Sequence, residues 1–333
     1  LGNSNGEVFI ELDNDGNVFF LEDLSSISIS GIESRESVNL DGLFSFMVSP
    51  LSQSGSIENI NINIFDGDNF IDSSSFQLII GEPVMLINDE FESNSGWEIG
   101  ASSDNATSGI WERGAPNQTT YNGSIVQTGQ DHSLNGSQCF VTGNTAGGTV
   151  GTDDVDGGRT TLLSPSYDVE GYDVVIVSYW RWYTNDIGDN PGTDVWNVDV
   201  SSNEGNSWIN IESTSQSNAS WIKKEVVLNS ENIDLSSGSL QFRFVAEDSF
   251  NQGDYGTGGS IVEAAIDDFT VSSFNTNDSI QGDLNNDGQL DVLDVVSMVN
   301  IVLSNNFSDL ADMNFDNNCN VLDVVILVNL ILG

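Results

Sequence analysis

Basic side chains are scarce in this chain of 333 residues. Lysine and arginine together number 7, against 51 aspartates and glutamates, and the formal net charge is −44 at pH 7. A surface this negative repels nucleic-acid phosphates and anionic lipid headgroups, and it attracts cations. The composition therefore argues against nucleic-acid and membrane binding, and it favours cations such as Ca²⁺ as partners.

Long apolar runs are also missing. No stretch reaches the roughly 18 apolar residues that a membrane-spanning helix needs. The nearest candidate, Val321–Leu332, is interrupted by Asp323 and Asn329. The hydrophobic content of 38% and the aromatic content of 9% are nevertheless spread along the chain, which is typical of folded domains and not of disorder. We expect folded domains and no membrane insertion.

Residues for catalysis are few. One histidine and two cysteines cannot supply the His and Cys ligands of a zinc site. A nucleophilic triad would have to include His132, which lies in a polar loop, Gly129–Ser133, with no nucleophile elbow nearby. A hydrolase that uses only carboxylates remains formally open, but acids are so frequent that no pair stands out. We predict that the protein is not an enzyme.

The two cysteines, Cys139 and Cys319, lie 180 residues apart. A disulfide between them would have to bridge two domains, and the alternative is that each is a small buried hydrophobe. We favour the second. Few lysines and many carboxylates also suit a salty extracellular setting, where charge repulsion is screened within roughly 8 Å or less. We therefore expect a secreted or cell-surface protein.

Residues 1–84 read as short strands separated by turn residues. The segment 7–12 alternates, Asp13–Gly16 is a turn sequence, and the segment 17–21 returns, which predicts a hairpin. The Asp13–Gly16 segment resembles half a calcium loop, but it lacks the distal acid, and we interpret it as a turn. Strands at this spacing predict an immunoglobulin-like β-sandwich of about 80 residues.

Residues 85–275 are again all β, with longer loops and more tryptophan. This length and pattern predict a larger jelly-roll sandwich. The strand candidates are Val174–Tyr183, Val195–Val200, Trp208–Glu212, Trp221–Leu228, Leu240–Ala246 and Ile261–Val271.

One strand of this region is unusually aromatic. Alternation places Tyr179, Arg181 and Tyr183 on one face, and Trp180 and Trp182 on the other. An exposed aromatic face would be a platform for stacking sugars, whereas a buried one would be sandwich core. We favour core.

Several motifs of residues 85–274 resemble those of MAM-like jelly-roll modules, which follow the catalytic domains of secreted bacterial peptidases. The motifs are Asn88–Glu92 with Gly96-Trp97, Ser137–Gly143, Thr160–Pro165 and Ala265–Phe269. The resemblance implies a structural calcium between the opening and closing strands. By position, Asp89 and Asp267 would be its ligands, with Glu92 and Asp268 as further candidates.

The C-terminal region, residues 276–333, contains an internal repeat with a spacing of 29 residues. Oxygen-bearing side chains recur at alternate positions of two twelve-residue loops, and each loop leads into the same apolar sequence. The first loop contains Asp283, Asn285, Asp287, Gln289, Asp291 and Asp294. The second contains Asp312, Asn314, Asp316, Asn318, Asn320 and Asp323.

This spacing is that of a calcium loop, in which side chains at positions one, three, five and twelve and the carbonyl at position seven surround the ion. Gly288 and Asn317 at position six suit the positive φ of the sharp turn. At position eight, Leu290 and Cys319 should point into a small core. We predict two Ca²⁺ ions here, in addition to one or more in the jelly roll.

The duplicated loop followed by a single helix, with Asp at position twelve, resembles a dockerin domain. The resemblance implies docking on a cohesin module. Val292-Leu293 and Val321-Leu322, however, are apolar where many dockerins have hydroxyl residues. This departure favours a hydrophobic protein partner, either a sandwich of the same chain or a neighbouring copy.

Three functions follow from the sequence. The first is a non-catalytic, calcium-stabilised extracellular assembly protein, with a head-to-tail filament as one product. The alternatives are the processed tail of a secreted peptidase, used for anchoring, and a carbohydrate-binding adhesion module. Seven Asn-x-Ser/Thr sequons permit glycosylation; they are Asn105, Asn117, Asn122, Asn135, Asn218, Asn277 and Asn306.

Overall fold

The computed structural model describes most of the chain and confirms a mainly β fold with a small helical C-terminal module. The described residues are 8–14, 18–20, 26–29, 46–48, 52, 54–147, 149–249, 259–274, 280–285 and 287–332. The chain divides into two compact units, Pro83–Phe274 and a second that comprises Leu1–Glu82 and Asn275–Gly333. The finer division into three modules at 84/85 and 275/276 stays a prediction.

The N-terminal region is all β in its described part. Its strands are β1 (Val8–Asn14), β2 (Val18–Phe20), β3 (Ser26–Ile29), β4 (Phe46–Val48), β5 (Ile57–Asp66) and β6 (Asn69–Ile79). One antiparallel sheet has the order β3-β1-β5-β6, and β2 pairs with β4 in a second sheet.

The predicted hairpin of β1 with β2 is wrong. Strand β1 pairs instead with β3 and β5, and its register with β5 places Ile10 opposite Ile64 and Leu12 opposite Ile62. This longer partner allows Leu12 to be buried with Ile60 in a small core. Burial of apolar side chains therefore outweighs the local turn signal. Part of the predicted turn, residues 15–17, lies outside the described residues.

The unit Pro83–Phe274 is a β-sandwich. Its strands are β7 (Pro83–Asp89), β8 (Glu98–Ile99), β9 (Trp111–Gly114), β10 (Thr119–Tyr121), β11 (Ser124–Gln127), β12 (Cys139–Thr142), β13 (Arg159–Leu163), β14 (Tyr167–Asp168), β15 (Val174–Gly188), β16 (Trp196–Ser201), β17 (Ile209–Thr214), β18 (Asn218–Asn229), β19 (Ser239–Glu247) and β20 (Ser260–Phe274). The six strand candidates of the sequence analysis correspond to β15–β20.

Two six-stranded antiparallel sheets make up the sandwich. The first has the order β18-β15-β20-β12-β9, with β7 also paired to β20. The second has the order β17-β16-β19-β13-β8, with β14 also paired to β19. Alternate residues of both sheets face inward, so that Tyr179 of β15 packs edge-to-face on Phe244 of β19. The predicted core assignment of the aromatic strand is confirmed on this face.

The opposite face of the first sheet is also covered. Trp182 is only 5% exposed and donates from Nε1 to the backbone oxygen of Val126 in β11, at 2.7 Å. It packs in a small cluster with Cys139. Cys139 and Cys319 are both free thiols; Cys139 is a small buried hydrophobe as predicted, whereas Cys319 is only partly buried.

The C-terminal module contains two helices, α1 (Val292–Leu303) and α2 (Val321–Leu332). Asp291 caps α1, and Asp294 completes the capping box by accepting from the backbone of Asp291. The module has its own core, which includes Met298 and Leu327. No helix in the described part of the chain is long and apolar enough to span a membrane.

Candidate calcium sites

The first C-terminal loop curls around the carboxylate of Asp283. This carboxylate accepts hydrogen bonds from the backbone N–H groups of Asp287 (3.2 Å) and Gly288 (2.8 Å). Asn285 Oδ1 accepts from the N–H of Asp287 at 2.9 Å, and Asp287 Oδ1 accepts from the N–H of Gln289 at 3.0 Å. The side-chain oxygens at positions one, three and five thus lie on the inside of one turn.

Asp294, at position twelve, closes the loop. Its Oδ1 accepts from the N–H groups of Leu284 (2.9 Å) and Asn285 (3.2 Å), and its Oδ2 accepts from the N–H of Asp291 (3.0 Å). The first turn of α1 is therefore tied back to the start of the loop. Asp291 itself accepts from the N–H of Leu293 and acts as the helix cap, so its carboxylate has a structural task.

The second loop repeats this network. Asp312 accepts from the N–H groups of Asp316 (3.1 Å) and Asn317 (2.7 Å). Asp323 accepts from Met313 (2.9 Å) and Asn320 (2.8 Å). The equivalent hydrogen bonds at positions three and five are present as well. The backbone N–H of Asp316 donates to Asn314 Oδ1, and the backbone N–H of Asn318 donates to Asp316 Oδ1. Two loops of different sequence have therefore folded in the same way.

Positions six and eight have the predicted roles. Gly288 and Asn317 have φ values of 79° and 62°, in the left-handed region that glycine and asparagine tolerate best. Leu290 and Cys319 are partly buried against the core of the module. The loop geometry thus explains Cys319 without redox chemistry.

Four carboxylates of this module are buried, and the module has no cationic side chain of its own to balance them. Asp294 and Asp323 are 0% exposed, and Asp283 and Asp312 are 3% and 4% exposed. Residues 280–333 contain no lysine, arginine or histidine. Buried carboxylates are costly unless they are paired or coordinate a metal. Asp and Asn oxygens around one turn are the ligands that Ca²⁺ prefers, so the donor set fits this ion.

A purely acidic metal centre is not formed. Within the described ranges, no three His, Cys, Asp or Glu side chains are grouped so that they could hold a metal ion. A cation in either loop would consequently depend on asparagine and backbone oxygens as well as on aspartate.

In the sandwich, Asp89 and Asp267 are the two calcium ligands that the resemblance implies. They accept hydrogen bonds from different parts of the chain. Asp89 accepts from the N–H of Phe91 (3.0 Å), from Ser95 Oγ and from Trp97 Nε1 (2.9 Å). These bonds fix the turn after β7. Asp267 bonds instead to the loop that contains His132, as described next.

Asp267 is fully buried and anchors the loop at residues 131–133. Its Oδ2 accepts from the N–H groups of His132 (2.7 Å) and Ser133 (3.1 Å). Burial raises the pKa of Asp267 to about 7. The neighbouring Asp268, at a left-handed φ of 47°, accepts from Ser133 Oγ at 2.6 Å and contacts His132 Nδ1. The His132 ring also stacks on Trp180, with 3.7 Å between centroids.

Asp131 and Glu92 lie beside Asp267 and Asp268. Burial raises the pKa of Asp131, and the negative charges of Glu92 and Asp268 raise it further. Backbone N–H groups of Ser137 and Gln138 hold the pKa of Glu92 below its usual range.

Gly136 leaves room for both of these carboxylates. A Cβ at this position would lie 2.5 Å from Asp131 Oδ2 and 2.7 Å from Glu92 Oε1. Asp131 Oδ2 is buried without a hydrogen-bond partner in the described part of the chain. Glu92 and Asp268 are the further candidates predicted from the sequence; Asp131, which adjoins His132, was not among them.

Comparison with known proteins gives structural similarity only. No protein-family model matches the chain, and no curated protein matches it. One similar structure is the K1 cleaved adhesin domain of Lys-gingipain from Porphyromonas gingivalis W83, with 15% identity, a TM-score of 0.33, and 58% of this chain and 99% of that chain covered.

Two further structures have similar scores. The CBM22-2 xylan-binding domain from Paenibacillus barcinonensis Xyn10C has 14% identity and a TM-score of 0.32, with 56% of this chain and 99% of that chain covered. The C-terminal family 22 carbohydrate-binding module of Clostridium thermocellum Xyn10B has 9% identity and a TM-score of 0.32, with 58% and 96% covered.

Proposed function

We propose that this chain is a non-catalytic, calcium-stabilised extracellular assembly protein whose C-terminal, dockerin-like module contacts a protein partner. The proposal rests on one observation: four buried carboxylates lie in a module that has no cationic side chain. A divalent cation in each loop would balance that charge. The chain's general excess of acids would raise the local cation concentration.

In each loop, particular residues would hold the ion. Asp283, Asn285 and Asp287 offer side-chain oxygens, Gln289 its carbonyl, and Asp294 a carboxylate. In the second loop the equivalent residues are Asp312, Asn314, Asp316, Asn318 and Asp323, and Asn320 is the counterpart of the capping Asp291. An ion that binds only the folded module stabilises it by about 2.7 kcal/mol at a hundredfold excess over Kd.

A third calcium in the sandwich belongs to the same proposal. Asp131, Glu92, Asp267 and Asp268 come from three separate parts of the chain, and the like charges of Glu92 and Asp268 act on Asp131. Because these acids alone do not form a metal-binding group in the described part of the chain, a cation there would also need backbone or uncharged side-chain oxygens as ligands, and it would offset the repulsion between the carboxylates.

The exposed apolar residues at the start of both helices support a protein partner. Val292 and Leu293 are 66% and 55% exposed, and Val321 and Leu322, their counterparts in α2, are 65% and 56% exposed. Contiguous exposed apolar surface is typical of protein–protein contacts. The partner would be a second copy of this chain, with a cohesin-like module as the alternative.

Trp180 and Trp182 suggested the carbohydrate-binding alternative, and the surroundings of both rings weaken it. Trp182 is buried, and Trp180 is stacked on His132. The Trp182 ring is therefore not available as a sugar-stacking platform, and one face of the Trp180 ring is occupied by His132. The remaining alternative, the anchoring tail of a secreted peptidase, uses the same calcium loops and differs in the partner.

Electron microscopy of the purified chain, with calcium and then with excess chelator, tests the proposed function. We expect regular fibres that dissolve on chelation. Single particles in both conditions would contradict self-assembly and would favour the anchoring tail.

A further inference from the structure

A cleft opens at one end of the sandwich, between two loops that take no part in the candidate calcium sites. Its volume is about 530 Å³, which lies within the roughly 300–1,000 Å³ typical of small-molecule sites. One wall is the turn between β14 and β15, and the other is the loop between β18 and β19. The cleft thus belongs entirely to the unit Pro83–Phe274.

Strand pairing brings the two walls together. Asp168 of β14 pairs with Ser239, the first residue of β19. Val174, the first residue of β15, pairs with Asn229, the last residue of β18. The turn at residues 169–173 and the loop at residues 230–238 are therefore neighbours, although they are about 60 residues apart in the sequence.

Backbone contacts fix the spacing of the walls. The N–H of Val169 donates to the backbone oxygen of Gly238 at 2.8 Å. Gly238 has a φ of 68°, and a Cβ at this position would lie 3.0 Å from the Cβ of Glu170. Glycine thus permits the close approach of the two loops. The shape of the cleft does not depend on a ligand.

The buried side of the cleft is apolar. Ile233 lines it, is only 4% exposed and belongs to the main core of the sandwich. Tyr172 and Leu235 also line the cleft, and both are partly buried against that core. The core holds these side chains in place, so a ligand meets a fixed apolar surface that it can cover.

The open side of the cleft is negatively charged. Glu170, Asp173 and Asp234 line it and are exposed, and residues 168–173 and 229–238 contain no lysine, arginine or histidine. The N–H of Ser236 donates to Asp234 Oδ1 at 2.9 Å. Hydrogen bonds from the hydroxyl and the N–H of Ser236 lower the pKa of Asp234, so this carboxylate is ionised at neutral pH.

Acids are common throughout this chain, and it is their combination with the apolar side of the cleft that indicates a ligand. Three of the ten lining residues are acidic, against 51 of 333 in the whole chain. A metal ion would use neither an apolar surface nor a tyrosine ring, and no three acids among the described residues are grouped so that they could hold one. A neutral apolar ligand would gain nothing from the carboxylates.

An organic cation uses every part of this lining. A primary ammonium group binds carboxylates through charge-assisted hydrogen bonds and is attracted to an aromatic face. An alkyl stem attached to it would cover Ile233 and Leu235. We propose that the cleft binds an alkylammonium group, from a free polyamine or from a lysine side chain. The inference goes beyond the proposed function because it involves neither the calcium loops nor the C-terminal helices.

Calorimetric titration of the full chain with cadaverine, a linear diamine, tests the proposal. The buffer contains calcium throughout, so that sites which prefer the metal are already occupied. We expect saturable binding of cadaverine, and none of pentanediol, which has the same stem without the charges. Asp234→Asn should weaken the binding about fivefold, because it removes one charge of the open side. The amide oxygen can still accept from Ser236, so the loop should keep its shape.

Glu112→Gln is the matched control. Glu112 is an exposed residue of β9 outside the cleft, and its substitution changes the net charge by the same amount. We expect it to bind cadaverine as the wild-type chain does. Equal losses in the two variants would show a general attraction of cations to an acidic surface and would overturn the proposal. The absence of saturable cadaverine binding, or equal binding of pentanediol, would overturn it as well.

A blocked tripeptide, acetyl-Ala-Lys-Ala-amide, distinguishes the two sources of the ammonium group. Binding of the tripeptide together with cadaverine would support a lysine side chain as the ligand, and binding of cadaverine alone would support a free polyamine. Every outcome of these titrations is independent of whether calcium produces fibres, so the failure of one proposal is distinguishable from the failure of the other.

Discussion

Asp294 and Asp323 lie 29 residues apart and have the same environment. Both are 0% exposed. Each accepts an N–H from the second residue of its loop, Leu284 or Met313, and another from the residue at position nine, Asp291 or Asn320. A carboxylate that closes its loop in this way connects the candidate ligand residues to the helix that follows.

Removing one of these charges should weaken calcium binding. We expect Asp323→Asn to lower the affinity of the second loop at least tenfold, about 1.4 kcal/mol, because a buried anionic ligand becomes neutral while the shape is kept. Isothermal titration calorimetry measures the change. Asp309→Asn, an exposed aspartate outside the loops, is the control and should bind as the wild type does.

Chelation should unfold the C-terminal module before the sandwich. Without an ion, the acids of each loop repel one another, and the module loses the stabilisation that binding supplies. Hydrogen exchange followed by mass spectrometry should show residues 280–332 losing protection in chelator while β15 and β20 keep theirs. Undiminished protection of the C-terminal module would mean that these acids are not calcium ligands.

Much of the C-terminal module could be predicted from its sequence, and the reason is local. The contacts of Asp283 and Gly288 lie within one twelve-residue loop, so spacing alone determines them. The carboxylate cluster of the sandwich, in which Asp131 lies near Glu92 and Asp268, was predicted less well. Its members are far apart in the sequence, and only the tertiary fold brings them together. Likewise, the β1–β2 hairpin was wrong because β5, far along the chain, buries Leu12.

The buried Glu263 should make the sandwich less stable as the pH rises. Burial raises the pKa of Glu263 well above its ordinary value of 4.5, and the charge of Asp154 raises it further. The folded state therefore keeps a proton that the unfolded chain releases above pH 4.5. This stability is fully present below that pH and is lost as pH rises through the folded-state pKa.

Glu263→Gln should flatten this pH dependence, since the neutral amide has the same shape and can still bond to Thr142. Urea unfolding midpoints in chelator, between about pH 5 and pH 8, measure it. Glu225→Gln, at an exposed glutamate paired with Lys223, should leave the slope unchanged. A Glu263→Gln variant with the wild-type slope would show that Glu263 ionises normally.

Trp182→Ala should affect stability and not sugar binding. The substitution removes a buried ring and its bond to Val126, and buried Trp→Ala changes cost about 3–5 kcal/mol. Chemical unfolding gives the loss, with the exposed Ile209→Ala as a control that should cost far less. Loss of binding on a glycan array by a folded Trp182→Ala variant would revive the carbohydrate-binding alternative.

The lack of any cationic side chain in residues 280–333 has a consequence for when and where assembly begins. Cytosolic calcium sensors bind at about 10⁻⁷–10⁻⁵ M, and extracellular modules at about 10⁻⁴–10⁻³ M. If the proposed function holds and the two loops belong to the second class, the module would stay unfolded during synthesis and fold after export. Its two helices would then present Val292 and Val321 together only outside the cell. The requirement for calcium would in that case delay the proposed polymerisation until the chain has left the compartment where it is made.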